Sequence, residues 1–75
     1  MEASKAFGLA IRLLRTTKGW TQEQLGFEAD LTRAYISSIE LNQKEPSITT
    51  IAKLAQAFGM TLSEMMHYVD KELKK

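Results

Sequence analysis

The chain has 75 residues, of which 44% are hydrophobic and 25% charged, so we expect one small globular domain rather than a disordered or low-complexity segment. It contains no cysteine, which excludes a disulfide framework and a thiolate metal site. The formal net charge is +1 and the pI about 8.0, too low to predict nucleic-acid binding from bulk charge, for which a pI above roughly 9 is typical.

The N-terminal segment and the hydropathy pattern indicate where in the cell the protein is expected. No apolar run approaches the roughly 20 residues that span a bilayer. The opening segment, MEASKAFGLAIRLLR, mixes charges into an amphipathic pattern and lacks the layout of a signal peptide. We therefore expect a soluble cytoplasmic protein with no membrane partner.

The first two predicted helices are separated by a short break. Apolar residues recur at helical spacing over about Ser4 to Lys18, which predicts the first helix. Gly19 follows, as expected where a helix ends in a left-handed residue. Thr21 and Gln24 have the spacing of a capping box, so a second helix is expected over Gln22 to Ala29.

Three more helix starts carry the same kind of signal. Thr32 is expected to cap a third helix, Ser47 a fourth over about Ile48 to Phe58, and Thr61 a fifth over about 62–73. No sustained alternating run predicts a strand. The side chains expected to face the core from the last two helices are Ile48, Ile51, Leu54, Ala55, Phe58, Leu62, Met65, Met66, Val69 and Leu73. The sequence therefore predicts one all-α domain of five helices over residues 1–75.

The segment from Thr21 to Asn42 predicts two short helices joined by a tight turn, a helix-turn-helix. Asp30 at the turn and Asn42 after the third helix are expected to have positive φ, which Asp and Asn tolerate better than most residues. Gly26, which lacks a side chain, is expected to let the third helix cross close by. Helices this short need packing partners from the rest of the chain.

Four segments carry a resemblance to a known family: TQEQL from Thr21, YISSIE from Tyr35, PSI from Pro46 and LAQAFG from Leu54. Together they resemble the Cro/C1-type (xenobiotic-response-element) helix-turn-helix family over about Phe7 to Met65. The resemblance implies a compact five-helix bundle of the lambda-repressor-like DNA-binding type. Within that family, TRAYIS from Thr32 is similar to the controller proteins of restriction-modification systems. Asp30 and Asn42 replace two glycines of the family pattern.

The resemblance implies a sequence-specific transcriptional regulator, repressor or activator, that binds a palindromic operator as a homodimer with its third helix in the major groove. The residues expected to contact base edges are Thr32, Arg33, Ala34, Ser37 and Ser38. Arg33 is the strongest of these, because a bidentate arginine–guanine contact gives roughly 1–3 kcal/mol of discrimination. Phosphate contacts are expected from Gln22, Tyr35, Asn42, Gln43 and Lys44.

The family resemblance also assigns residues to structure and assembly. It places Arg15 and Glu40 as an ion pair between the first helix and the end of the third, so Arg15 is expected not to contact DNA. The apolar stripe of the fifth helix extends further than so small a core needs. We expect a two-fold dimer contact there, against the alternative of a monomer. Its residues are Phe58, Met66, Tyr68 and Val69. RNA polymerase is a further partner that the resemblance allows.

Other classes of function have weaker support. His67 is the only histidine and is expected to point outward, with no side chain arranged to partner it, so we expect no enzyme, cofactor, metal site or small-molecule ligand. The alternative is a protein-interaction or antitoxin-like adaptor with the same fold, which the net charge of +1 leaves open. DNA binding through several phosphates weakens steeply with added salt, whereas an apolar protein interface does not.

Overall fold

The computed structural model describes residues 1–75 and contains five α-helices and no strand. The helices are α1 (Ala3–Thr17), α2 (Gln22–Ala29), α3 (Arg33–Glu40), α4 (Ile48–Ala57) and α5 (Leu62–Leu73). The predicted all-α five-helix fold is confirmed, and no predicted helix boundary differs from the observed one by more than one residue. None of the helices has both the length and the apolar character needed to cross a bilayer.

Four of the five helices begin at a side-chain cap, as the sequence predicts. Thr21 Oγ1 accepts the Gln24 N–H at 3.1 Å, and Gln24 Oε1 accepts the Thr21 N–H at 2.7 Å, which completes a capping box before α2. Thr61 forms the same reciprocal pair before α5. Thr32 and Ser47 each accept one N–H of the helix that follows. Each cap supplies a partner to an N–H that has none within its helix.

The core draws side chains from every helix. α1 packs on α3 and α5, while α2 packs on α3 and α4, and α4 packs on α5. The ring of Phe58 stacks on Trp20 with 5.9 Å between the ring centroids. The largest fully buried side chains are Ile11, Leu25, Ile36, Ile39, Leu54 and Met65. Because α3 contributes two of these six, its inner face is fixed against the rest of the domain.

Four apolar side chains that we expected in the core lie at the surface instead. Ile48 is 70% exposed, Leu62 42%, Leu73 38% and Met66 36%. Ile48 is the first residue of α4, and Leu62 and Leu73 are the first and last residues of α5, so three of the four lie at helix ends. In the last turn of α5 the buried position belongs to Glu72, whose carboxylate accepts a hydrogen bond from Lys75 Nζ at 3.1 Å. Periodicity along one helix does not show where that helix leaves the core.

Two glycines allow backbone to approach α1 and α2 closely. A Cβ at Gly26 would lie 2.5 Å from the carbonyl oxygen of Leu31, in the turn before α3. A Cβ at Gly8 of α1 would collide with the carbonyl oxygen of Ile39, near the end of α3. The close approach at Gly26 was predicted from the sequence, and the one at Gly8 was not. Both ends of α3 are therefore held by contacts that a side chain would prevent.

Candidate nucleic-acid interface

α3 has a buried face and an exposed face. Ile36 and Ile39 are 0% and 1% exposed and anchor the helix to the core. On the other face, Arg33 and Ala34 are exposed and Ser37 is half-buried. Arg33 takes part in none of the four ion pairs of the chain, so its guanidinium is free to bind an external acceptor. Helical periodicity placed these side chains correctly on the outward face.

Two hydroxyls at this face have local backbone partners that limit what they can offer. Thr32 Oγ1 accepts the Tyr35 N–H at 3.1 Å as the helix cap, which leaves its own proton free to be donated. Ser38 Oγ donates to the carbonyl oxygen of Tyr35 at 2.7 Å, so its proton is already used. Toward DNA, Thr32 can therefore act as a donor, while Ser38 can only accept.

The turns on either side of α3 have the left-handed residues that we predicted. Asp30 has φ 56° and Asn42 has φ 57°. After α3, the Asn42 N–H donates to the Ile39 carbonyl at 3.1 Å and the Gln43 N–H to the Ser38 carbonyl at 2.8 Å. This paired arrangement ends the helix sharply and satisfies two of its last carbonyls. The segment Asn42 to Lys44 is consequently exposed directly beside the end of α3.

A polar cluster joins α1, α2 and α3 behind this surface. Arg15 Nε and Nη2 donate to the two carboxylate oxygens of Glu40 at 2.7 and 3.0 Å. Arg15 Nη1 also donates to the Trp20 carbonyl at 2.9 Å. The two side chains are only 13% and 4% exposed, so the guanidinium of Arg15 is turned away from the surface. Gln22 Nε2 donates to Glu40 Oε1 at 3.1 Å, which connects the cluster to the start of α2.

The five side chains expected to contact phosphate fall into two groups. Asn42, Gln43 and Lys44 are exposed. Gln22 and Tyr35 are half-buried and engaged inside the chain, Gln22 with Glu40 as described and Tyr35 through its hydroxyl, 3.2 Å from a threonine hydroxyl of α4. The amide of Gln22 retains a second N–H, and the phenol group of Tyr35 retains further hydrogen-bonding capacity.

The residues expected at a dimer contact do not all lie at the surface. Met66 is 36% exposed and Tyr68 half-buried, with Lys71 Nζ 5.5 Å from the ring centroid of Tyr68. Phe58 and Val69 are only 4% and 6% exposed and belong to the core of the chain itself, as their helical spacing also predicted. Phe58 is held there by its stacking on Trp20. Met66 and Tyr68 therefore remain accessible to a second copy, on the two flanks of the exposed side of α5.

Sequence reasoning missed three residues around the interface. Phe27 is 85% exposed on α2, and its position off the Leu25–Ala29 stripe was the available signal. The close contact at Gly8 was also missed, although a glycine within an otherwise apolar stretch of α1 was a signal for it. Thr50, buried behind α3 with 6% exposure, gave no signal in its local sequence. No group of three or more His, Cys, Asp or Glu side chains is placed to hold a metal ion.

Comparison with known proteins relates this geometry to a family. Residues 11–65 match the model of the family described as helix-turn-helix. The control protein C.MunI of Mycoplasma sp is 36% identical over 67 residues, covering 88% of this chain and 90% of that protein. The restriction-modification controller protein C.AhdI of Aeromonas hydrophila superimposes with a TM-score of 0.78 at 39% identity, over 83% of this chain and 94% of its own.

A second solved structure covers this chain completely. The restriction-modification controller protein C.Esp1396I superimposes with a TM-score of 0.91 at 27% identity, over 100% of this chain and 96% of its own. These similarities extend over all five helices and confirm the resemblance noted in the sequence. The chain therefore belongs to the Cro/C1-type helix-turn-helix family, whose members are DNA-binding transcriptional regulators and not enzymes.

Proposed function

We propose that the chain is a sequence-specific transcriptional regulator in the cytoplasm that binds a palindromic operator in double-stranded DNA as a homodimer. One observation carries this proposal: the outward face of α3 is exposed and its arginine unpaired, while Ile36 and Ile39 fix the helix from behind. A major groove about 12 Å wide admits a helix presented in this way. Restriction-modification control is the biological role that the similarity to controller proteins supports.

The N-terminal part of α3 supplies the proposed base contacts. Arg33 binds the O6 and N7 acceptors of a guanine through two parallel N–H donors. Ala34 packs against a thymine methyl group, and Thr32 and Ser37 donate hydroxyl protons to base acceptors. Ser38, whose proton is bound to the Tyr35 carbonyl, accepts from a base amino group. These residues give the sequence preference.

Phosphate contacts orient the protein on the duplex. Gln22 at the first turn of α2 donates its second amide proton, with the helix N-terminus directed at the same phosphate. Asn42, Gln43 and Lys44 bind the backbone beyond the end of α3. Each protomer carries a net charge of only +1, so a dimer that doubles these contacts offsets the weak overall attraction to DNA.

The proposed dimer places two copies of α3 on one face of DNA. A two-fold contact through the exposed side of α5, with Met66 and Tyr68 on its two flanks, is isologous and closes after two copies. In such a dimer the recognition helices lie about 34 Å apart, one turn of the duplex, so the operator is an inverted repeat.

RNA polymerase is a proposed further partner, and a feature of α2 supports it. Phe27 is 85% exposed beside Glu23 and Glu28, and lies about 140° around the helix from Gln22. This apolar and acidic patch stays free when Gln22 faces DNA. Phe27→Ala is expected to preserve DNA affinity and lower activated transcription in a purified assay. Unchanged transcription would remove the patch from the proposal.

Selection from random duplexes with the purified protein tests the function. We expect recovered sequences to share an inverted repeat with half-sites one helical turn apart, and binding to weaken steeply with added salt. Absence of enrichment at moderate salt would refute sequence-specific binding. Tight binding of a protein partner with little salt dependence, and no DNA binding, would favour the adaptor function instead.

A further inference from the structure

A chain of hydroxyl groups connects α3 with the start of α4. Ser47 Oγ accepts the Thr50 N–H at 3.1 Å as the α4 cap and donates its proton to Thr50 Oγ1 at 3.1 Å. Thr50 Oγ1 lies 3.2 Å from the phenol oxygen of Tyr35. Thr50 is only 6% exposed, so the middle of this chain is buried, between the exposed α4 cap at Ser47 and the half-buried Tyr35 on the flank of α3.

Counting protons gives the direction of the last bond. A hydroxyl has one proton and accepts through two lone pairs. Because Thr50 Oγ1 accepts from Ser47, its own proton needs another acceptor, and a buried donor without one is costly. The partner available is the phenol oxygen of Tyr35, and no buried side-chain polar atom in the structure lacks a partner. Thr50 therefore donates to Tyr35, and the phenol proton of Tyr35 is not used inside the chain.

We propose that Ser47 and Thr50 are positioning residues that hold the Tyr35 phenol group with its proton facing outward, as a donor to a DNA phosphate. This inference rests on the proposed function, since it concerns how α3 is held on DNA. A phosphate oxygen at neutral pH accepts hydrogen bonds and donates none, so the direction of the Tyr35 proton decides whether the contact forms. The half-buried ring of Tyr35 keeps that donor in place beside the outward face of α3.

Four substitutions separate this role from ordinary packing. Tyr35→Phe removes the donor from both protomers of the proposed dimer, and we expect roughly hundredfold weaker DNA binding, about tenfold for each lost hydrogen bond to a charged group. Ser47→Asn keeps a good cap for α4. The amide oxygen of the new asparagine can accept the hydroxyl proton of Thr50, which serine does not do. The Thr50 oxygen then accepts the phenol proton of Tyr35, and this proton turns inward, away from DNA. A loss close to that of Tyr35→Phe is expected. Thr50→Val removes the hydroxyl that orients the phenol group and should weaken DNA binding severalfold. Thr50→Ser retains that hydroxyl and should preserve DNA binding.

Fluorescence anisotropy at fixed salt measures these affinities with two labelled probes of about 30 base pairs, roughly three turns of DNA. One probe is a mixed-sequence duplex and the other carries a sequence recovered by selection. The effects of Ser47→Asn and Thr50→Val should vanish in the Tyr35→Phe background, because the three residues act through one contact. The dependence of affinity on salt should not change, because Tyr35 is an uncharged donor.

The outcomes distinguish the inference from the proposed function. Wild-type protein that binds neither probe would overturn both. Wild-type binding that Ser47→Asn leaves unchanged, or that it weakens equally with and without the Tyr35 hydroxyl, would overturn the inference alone. Thermal unfolding of each variant is measured in parallel. Should Thr50→Val fail to fold, Ser47→Asn carries the test, since asparagine caps helices as well as serine does.

Discussion

Among single residues, Glu40 connects the stability of the fold to the proposed DNA contact. Its side chain is 4% exposed and accepts three hydrogen bonds, two from Arg15 and one from Gln22. A buried carboxylate needs such partners because its desolvation is costly. The hydrogen bond from Gln22 Nε2 to Glu40 also sets the direction of the Gln22 side-chain amide at the first turn of α2. Removing Glu40 would therefore disturb both the packing and the proposed phosphate contact of Gln22, so the effect on packing is better tested at Arg15.

Arg15→Ala is expected to lower the free energy of unfolding by about 3 kcal/mol, because it leaves the Glu40 carboxylate buried with only Gln22 as partner. For a domain of this size the melting temperature should fall by roughly 12–24 °C, measured by circular dichroism. Arg12→Ala, at an exposed position of α1, serves as the control and should change little. If Arg15→Ala melted like the wild type but lost DNA binding, Arg15 would be a DNA ligand.

Arg33→Ala is expected to leave stability unchanged, since the side chain is exposed and unpaired. Its preference for the selected operator over a duplex with the contacted guanine replaced should fall by about 1–3 kcal/mol. Arg33→Lys retains the charge but not the two parallel donors, so it should also lose much of the preference. Competition binding with the two duplexes measures the ratio. Equal preference in wild type and Arg33→Ala would place base recognition elsewhere on α3.

At the scale of helices, the signals that predicted structure correctly were local ones. The Thr21–Gln24 box and the positive φ of Asp30 and Asn42 depend on a few neighbouring residues, so they were visible in the sequence. The outward residues of α3 followed from the helical period. The engagement of Gln22 with Glu40, and that of Tyr35 with Thr50, was not visible, because each joins separate helices.

The packing at Gly8 likewise could not be predicted from the sequence of one helix. Its missing side chain matters only because the Ile39 carbonyl, distant in sequence, lies against α1. Likewise the exposure of Ile48 depends on whether another helix covers the first turn of α4. Such facts belong to the arrangement of helices and not to the pattern within one of them.

Gly8→Ala is expected to destabilise the protein by about 1–3 kcal/mol, because the added Cβ would collide with the Ile39 backbone oxygen, which has no flexible side chain to give way. This runs against helix propensity, by which alanine is better than glycine by about 1 kcal/mol. Urea unfolding measures the difference, with Lys5→Ala at an exposed α1 position as the control. A more stable Gly8→Ala protein would mean that α1 and α3 can separate at little cost.

On the scale of the whole molecule, the position of charges matters more than their sum. The chain has ten basic and nine acidic residues, so a DNA surface has to be assembled from a few well-placed groups. Lys44 is exposed in the loop after α3, whereas Arg15 is used inside the fold. In the proposed dimer, a second protomer would double each useful contact without any change in this balance. The proposed dimer would therefore compensate for the small number of favourably placed charges.

Lys44→Gln is expected to weaken binding to all duplexes similarly, because a phosphate contact carries no sequence information. The slope of log Kd against log salt should fall by about 2 for a dimer, close to 1 per lost phosphate contact. Anisotropy titrations over a series of salt concentrations give the slope. Lys5→Gln removes the same charge from the exposed side of α1 and should leave the slope almost unchanged. Equal slopes for both variants would exclude Lys44 as a phosphate ligand.

The proposed dimer is tested by Met66→Asp. In an isologous contact this substitution places two carboxylates near the two-fold axis, where desolvation and repulsion oppose association. We expect a monomer by sedimentation velocity, with an unchanged circular dichroism spectrum because Met66 is at the surface. Ala52→Asp puts the same charge at an exposed position of α4, away from Met66 and Tyr68, and should remain dimeric. Since one protomer holds only half of the operator contacts, Met66→Asp should also bind the inverted repeat no better than a single half-site. A persistent Met66→Asp dimer would place the interface on another face of the domain.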